Sequence, residues 1–276
     1  MRGLCLAGSG AAGVPRAGRA GAGSAGAGPG WRWLCLRLGP EPLPAAVTGG
    51  GLPSPNFGER RGGVLPSLVV IHYTAMESCA AARARLCDPQ AEVSAHWLIS
   101  RHGEAEALVD EAHRAWHAGA GAWAGLGDVN SHSIGIELDN RGAEPFAAPQ
   151  MRALEGLLAD IMARWSIPPH RVIGHSDMAP ARKSDPGPRF DWQGLARQGL
   201  SVWPETAPDL SGDVSAPDFV ASARRFGYPD HPSEILLRAF RLRFRPGASG
   251  PLTAVETAMA ANLALRFGVD GPSAAA

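Results

Sequence analysis

The chain has 276 residues, 45 % of them apolar, which is enough for one full domain with its own core and a smaller companion. Lys plus Arg and Asp plus Glu both number 26, so the formal charge is zero. This argues against a nucleic-acid partner, and any grip on an anionic polymer must be local rather than steered from a distance. No run of about 18 apolar residues occurs, so no transmembrane helix is expected.

Residues 1–52 form a zone of Gly, Ala, Arg and Pro with no acidic residue before Glu41. Such a composition buries too little apolar surface to offset the entropy of ordering it. It reads as a disordered tail or as a misplaced start with the native chain beginning near Val47, with a targeting role as a third option. Order is expected from Pro53. Leu68-Val-Val-Ile-His-Tyr73 is a buried strand ending in a histidine, and Ser78–Leu86 is a helix stopped by Asp88-Pro89. Ala95–Ser100 reads as a second strand, and Glu106–Val109 as its hairpin partner across the turn Arg101-His-Gly103. Ser133-Ile-Gly-Ile-Glu-Leu138 is a third strand with an acid embedded in it.

From Pro149 to Trp165 the apolar residues Leu154, Leu157, Leu158 and Ile161 recur at helical intervals, so one face should pack on a sheet. Val172–His175 reads as a strand ending in a second histidine, and Asp177–Phe190 as a loop rich in Pro, Gly and charge. After residue 204 the composition shifts. Residues 205–216 read as a linker and 217–270 as a separate bundle of three helices, Pro217–Phe226, Ser233–Phe244 and Thr253–Phe267. In the middle helix Ile235, Leu236, Ala239, Phe240 and Arg243 share one side.

The four cysteines, Cys5, Cys35, Cys79 and Cys87, form no C-x-x-C pair. Cys79 and Cys87 flank a helix that separates them by about 12 Å, beyond the roughly 7 Å Cα limit of a disulfide. All four are read as free thiols, which favours a reducing compartment.

The chemistry concentrates at a few positions. His72 and His175 end buried strands, and Asp185 follows in a loop long enough to fold back. Two imidazoles and a carboxylate form a common catalytic zinc set, in which the metal lowers the pKa of water to about 7. Spacing alone is weak support, and the bland reading of each histidine is a hydrogen-bonded strand end. What strengthens the metal reading is Glu137, a carboxylate inside an apolar strand that is costly to bury unless a charge faces it. Glu137 could accept a proton from water, and Lys183 could hold a developing oxyanion.

At this point the motifs resemble a known family. Val70-Ile-His-Tyr-Thr74, Ser94-Ala-His-Trp-Leu-Ile99, Ala115-Trp-His-Ala-Gly119, Asn130-Ser-His-Ser-Ile-Gly-Ile-Glu-Leu138 and Gly174-His-Ser-Asp-Met-Ala-Pro-Ala-Arg-Lys-Ser-Asp-Pro-Gly187 occur in the order found in type-2 N-acetylmuramoyl-L-alanine amidases. They span residues 53–204. The resemblance implies an α/β fold, a central β-sheet flanked by helices, with one Zn²⁺ per chain held by His72, His175 and Asp185. It implies that Glu137 activates the attacking water and that Lys183 stabilises the oxyanion. Arg182, His117 and Trp116 are expected at the substrate, with His117 also open to a structural use. Trp97 stands where Tyr is usual and Ser131 where Asp is common, and neither is a proposed ligand.

The reaction so implied is hydrolysis of the amide between the muramic acid lactyl group and L-alanine, in peptidoglycan or its anhydromuropeptide fragments. The alternatives are a non-catalytic peptidoglycan-recognition protein on the same fold, a metallopeptidase acting on the stem, and a cysteine hydrolase, for which neither Cys79 nor Cys87 has a suitable histidine beside it. The helical segment resembles a peptidoglycan-binding module, with a simple helical cap as the other reading. Trp123 could stack on sugar or pack in the core, and His96 is read as a core histidine. A monomer is expected, in the cytoplasm, with a periplasmic or envelope location as the alternative.

Overall fold

Strand alternation and helical spacing organise the chain around one sheet. The protein is described here by a computed structural model covering residues 53–205 and 214–269. The Gly/Ala-rich zone with Cys5 and Cys35, and most of the expected linker, lie outside the described residues. In chain order the elements are β1 (Phe57–Gly58), β2 (Leu68–Tyr73), α1 (Cys79–Leu86), β3 (Trp97–Ile99), β4 (Ala105–Ala107), β5 (Arg114–Ala115), α2 (Val129–His132) and β6 (Ser133–Leu138). There follow α3 (Ala148–Trp165), β7 (Val172–Gly174), α4 (His175–Met178), α5 (Trp192–Arg197), α6 (Ala216–Phe226), α7 (Ser233–Phe244) and α8 (Ala254–Phe267).

Five strands form a sheet in the order β4-β3-β6-β2-β7. The pairs β2–β6, β2–β7 and β3–β6 are parallel, and β4 returns antiparallel beside β3. Central β2 is covered on both faces, which explains its unbroken apolar run: Leu68 to Ile71 are fully buried. Val69 and Ile71 point to one side, where Ile134, Ile136 and Leu138 of β6 meet Leu154, Leu157, Leu158 and Ile161 of α3. Leu68, Val70 and Ile173 point to the other side, toward Trp123 and Met178 and then Phe219, Phe226 and Phe240 of the C-terminal helices.

The three C-terminal helices, expected as a separate bundle, therefore share a core with the sheet and belong to one compact unit with it. Their aromatic side chains cover the β2 face that α3 leaves open. Among the described residues no helix is long and apolar enough to cross a membrane.

Two local expectations are corrected. His175 does not end a strand; it opens α4, because the Asp177 carboxylate accepts the Gly174 N–H at 2.8 Å and caps the turn. The second strand is shorter than Ala95–Ser100, because the Ser100 hydroxyl oxygen accepts the N–H groups of His102 and Glu104 and starts the turn. The short elements β1, β5, α2 and α5 have too few residues to show a period.

Candidate active site

The parallel strands end at one level. His72 pairs with Glu137 across β2–β6, and Ile71 pairs with Gly174 across β2–β7, so His72, Glu137 and His175 stand in one row at the carboxyl edge of three neighbouring strands. That edge is where open α/β sheets place ligands. Asp185 reaches the row from the following loop, held by a Ser176 N–H to Asp185 carbonyl bond of 2.9 Å. Gly174 permits this close approach: a Cβ there would lie 2.7 Å from Pro186 Cδ.

Three side-chain atoms converge. His72 Nδ1 and His175 Nδ1 are 2.9 Å apart, and each is 3.0 Å from Asp185 Oδ2. The hydrogen bonds on the far sides of the rings assign the tautomers. His175 Nε2 lies 2.9 Å from the Ala118 carbonyl, which only accepts, so the proton sits on Nε2 and Nδ1 presents a lone pair. The Ser133 hydroxyl donates to the Val129 carbonyl at 2.5 Å and so accepts from His117 Nε2–H at 3.2 Å. His117 Nδ1 then accepts from His72 Nε2–H at 3.0 Å, which leaves His72 Nδ1 unprotonated as well. Three acceptor atoms thus face one point with no proton between them, an arrangement that a cation stabilises. Two imidazole nitrogens and one carboxylate oxygen match the donor preference of zinc.

Electrostatics agree with that ligand state. Burial, then the neighbouring His175, lowers the His72 pKa to about 4, so the ring is neutral at pH 7. Burial lowers His117 well below its ordinary value, with the adjacent imidazoles adding to it.

Glu137 behaves oppositely: burial, then the Asp185 charge, raises it to about 8 despite Lys183 nearby. Its Oε2 is buried and has no hydrogen-bond partner among the described residues. An orphaned carboxylate oxygen beside three convergent acceptors is what a site built around a cation and a proton-carrying substrate would leave. Glu137, Lys183, Trp116 and Arg182, together with His72, His175 and Asp185, line a cavity of about 360 Å³.

The other expected residues fall around this centre. Trp116 lines the cavity. His117 lines it too, but both its ring nitrogens are committed to His72 and Ser133, and Gly135 makes room for the ring. Arg182 Nη2 donates to the carbonyls of Ala118 and Ala120 at 2.7 and 2.6 Å, bracing the loop that also orients His175. His96 is fully buried: its Nδ1 accepts the Gly135 N–H at 2.9 Å, consistent with a core role. Trp123, 1 % exposed and packed against Phe226 and Tyr228, is core rather than a sugar platform. Asp177, Tyr228 and Ser133 were not singled out from the sequence. The one available signal was Arg243, a charge on the apolar side of a helix.

A mostly parallel sheet with a His–His–Asp set, a buried carboxylate and a lysine lining one cavity is the arrangement of a hydrolase site whose donor atoms fit a metal ion. The chain belongs to the N-acetylmuramoyl-L-alanine amidase family, whose sequence pattern matches residues 62–188, a span that includes all five of these side chains. It is 37 % identical over 236 residues to the N-acetylmuramoyl-L-alanine amidase AmiD of Escherichia coli K12, covering 74 % of this chain and 84 % of that one. It is 34 % identical over 177 residues to the 1,6-anhydro-N-acetylmuramyl-L-alanine amidase AmpD of Citrobacter freundii, covering 58 % and 93 %. The structure superimposes on E. coli AmiD in complex with anhydro-N-acetylmuramic acid-L-Ala-D-gamma-Glu-L-Lys with a TM-score of 0.69 and 35 % identity, covering 78 % of this chain and 99 % of that one.

Proposed function

We propose that this amidase uses one zinc ion, held by His72, His175 and Asp185, to hydrolyse the amide between the muramic acid lactyl group and L-alanine, with anhydromuropeptides as substrates. The observation that carries the reading is the triangle of 2.9–3.0 Å between the three unprotonated ligand atoms. The substrate class is supported by the anhydromuramoyl peptide bound in the similar AmiD structure.

When bound, zinc supplies Lewis acidity to the carbonyl and acidifies water. The chain's own groups do the rest. Glu137 takes the proton of the attacking water at Oε2, the atom with no partner among the described residues, and returns it to the leaving nitrogen of L-alanine. Burial and the Asp185 charge, which raise the pKa of this carboxyl, favour its holding the proton until the nitrogen departs. Lys183 adds fixed positive charge where the carbonyl oxygen becomes anionic. His117 and the Ala118 carbonyl keep each imidazole in the ligating tautomer. Trp116 offers an apolar wall, and the guanidinium of Arg182, braced by the Ala118 and Ala120 carbonyls, also lines the cavity, where a stem carboxylate would meet it.

Along α7, Ser233, Leu237, Arg238 and Arg241 border a groove of about 570 Å³ that reaches Pro188 of the metal loop. Its contact with Pro188, three residues after Asp185, supports reading the C-terminal helices as a surface that also contacts substrate polymer. Free thiols at Cys79 and Cys87 support a reducing compartment, which fractionation of the native protein tests.

The central experiment incubates the purified full chain with an anhydromuramoyl tripeptide and identifies products by mass spectrometry. Release of intact peptide plus free anhydro sugar, abolished by a chelator and restored by stoichiometric zinc, is expected. A cut within the peptide, or full activity in metal-free protein, would overturn the proposal.

A further inference from the structure

One side chain of α7 brackets the metal ligand His175. Arg243 is 1 % exposed. Its Nη1 donates to Asp177 Oδ2 at 2.8 Å, and its Nη2 donates to the Val172 carbonyl at 3.0 Å and to Ser201 Oγ at 3.2 Å. Val172 lies before His175 and Asp177 after it, so the two arms of one rigid fork hold the chain on both sides of the ligand. The guanidinium carbon lies over the Trp192 ring, 4.5 Å from its centroid.

Asp177, fully buried, receives two more donors. The Gly174 N–H reaches Oδ2 at 2.8 Å, and the Tyr228 hydroxyl, from the α6–α7 connection, reaches Oδ1 at 2.6 Å. The turn fixed in this way also carries the Ser176 N–H that holds the backbone of Asp185. Two of the three ligands therefore depend on one corner between β7 and α4.

Stability alone need not account for this arrangement. A buried ion pair loses so much hydration that apolar residues of similar size often hold a core equally well. What the charged, hydrogen-bonded version adds is a single fixed geometry.

We propose that Arg243 and Tyr228 are positioning residues of the metal centre: through Asp177 they lock the β7–α4 corner so that His175 Nδ1 and Asp185 Oδ2 stay convergent with His72. This rests on the zinc reading given above. It assigns the C-terminal helical segment a part in metal affinity, beyond any contact with polymer.

The test uses the full chain with Tyr228→Phe, an isosteric change that removes only the hydroxyl, and Phe240→Leu as a packing control on α7, whose ring lies 6.4 Å from that of Tyr228 and takes no part in the hydrogen bonds to Asp177. Zinc Kd is measured by chelator competition, Tm by thermal unfolding, and kcat and KM on an anhydromuramoyl tripeptide at limiting and saturating zinc. The expected result for Tyr228→Phe is a zinc Kd raised about 10- to 100-fold, with KM unchanged and with kcat low at limiting zinc and restored by excess. Phe240→Leu should lower Tm and leave zinc Kd alone. A wild-type zinc Kd in Tyr228→Phe, or an equal loss in Phe240→Leu, overturns the inference. Absence of zinc from the wild type would instead defeat the zinc reading itself. Arg243→Met should exceed Tyr228→Phe in its loss of zinc affinity; if it fails to fold, the tyrosine variant still decides.

Discussion

Gly135→Ala puts a methyl group where the ring of His117 stands. A Cβ at Gly135 would lie 2.4 Å from His117 Cγ, 2.5 Å from Cδ2 and 2.6 Å from Nδ1, against about 3.4 Å for an ordinary contact, so the ring must withdraw by about 1 Å. It has little freedom to do so. Its nitrogens are bonded to His72 and Ser133, and the N–H groups of His117 and Ala118 both donate to Asn130 Oδ1 at 3.0 and 2.8 Å. Overpacking a rigid site costs about 1–3 kcal/mol, and one lost buried hydrogen bond adds about 1 kcal/mol, so the apoprotein should lose about 2–4 kcal/mol. Because the bond most exposed to the displacement is the one that orients His72, zinc affinity should fall by about 10- to 100-fold as well. Denaturant unfolding of metal-free protein and chelator competition measure the two effects. Gly127→Ala, whose Cβ would meet nothing within 4 Å, is the control and should stay within about 0.5 kcal/mol of wild type. Wild-type stability and zinc affinity in Gly135→Ala would show that His117 does not occupy the space above β6, and the account of the His72 tautomer would fall with it.

Other substitutions separate the remaining roles. Lys183→Ala should retain zinc but lose about 10²–10³ in kcat, read from steady-state kinetics alongside metal analysis. Glu137→Gln, of the same size, should also retain zinc and lose about 10²–10⁴ in kcat, because an amide cannot carry the proton; near-wild-type turnover would remove Glu137 from the mechanism. Glu111 tests the pH logic away from the site. It accepts from Arg164 at 2.9 and 3.0 Å and from the indoles of Trp97 and Trp165. Burial opposes its ionisation, but hydrogen bonds from Arg164, Trp165 and Trp97 prevail and lower its pKa. A depressed carboxyl stabilises the fold above the unfolded-state pKa and loses that effect as pH falls through its folded value. Glu111→Gln should therefore cost about 1–3 kcal/mol at pH 7 and much less near pH 3, by denaturant unfolding at the two values; an equal cost at both would refute the assignment.

Local patterns made much of this protein legible in advance. The aliphatic run Leu68–Ile71 marks a strand covered on both faces, and the spacing of Leu154, Leu157, Leu158 and Ile161 marks the helix that covers one of them. A carboxylate inside Ser133–Leu138 and histidines beside short apolar runs pointed to the residues that the structure brings together. What resisted reading depends on contacts between distant segments. Trp123 has the same local surroundings whether it stacks on sugar or packs under α6; only the arrival of Phe226 and Tyr228 settles it. Asp177 looks like one more charge in a polar loop until Arg243, 66 residues later, closes on it. The helices of the C-terminal segment were recognisable from their own periodicity, but the surface they cover was not, because an apolar stripe does not specify its partner.

The pairing of His72 with Glu137 also bears on how the chain avoids faulty versions of itself. Were β6 to slide by a single residue along β2, Ile136 or Leu138 would stand opposite His72, and the carboxylate would turn toward the leucines of α3. Such a molecule would be inert and would also carry an unpaired acid in its greasiest layer. The same row of amide bonds thus proofreads folding and assembles the reaction centre, so a chain that passes the first check has already met the second.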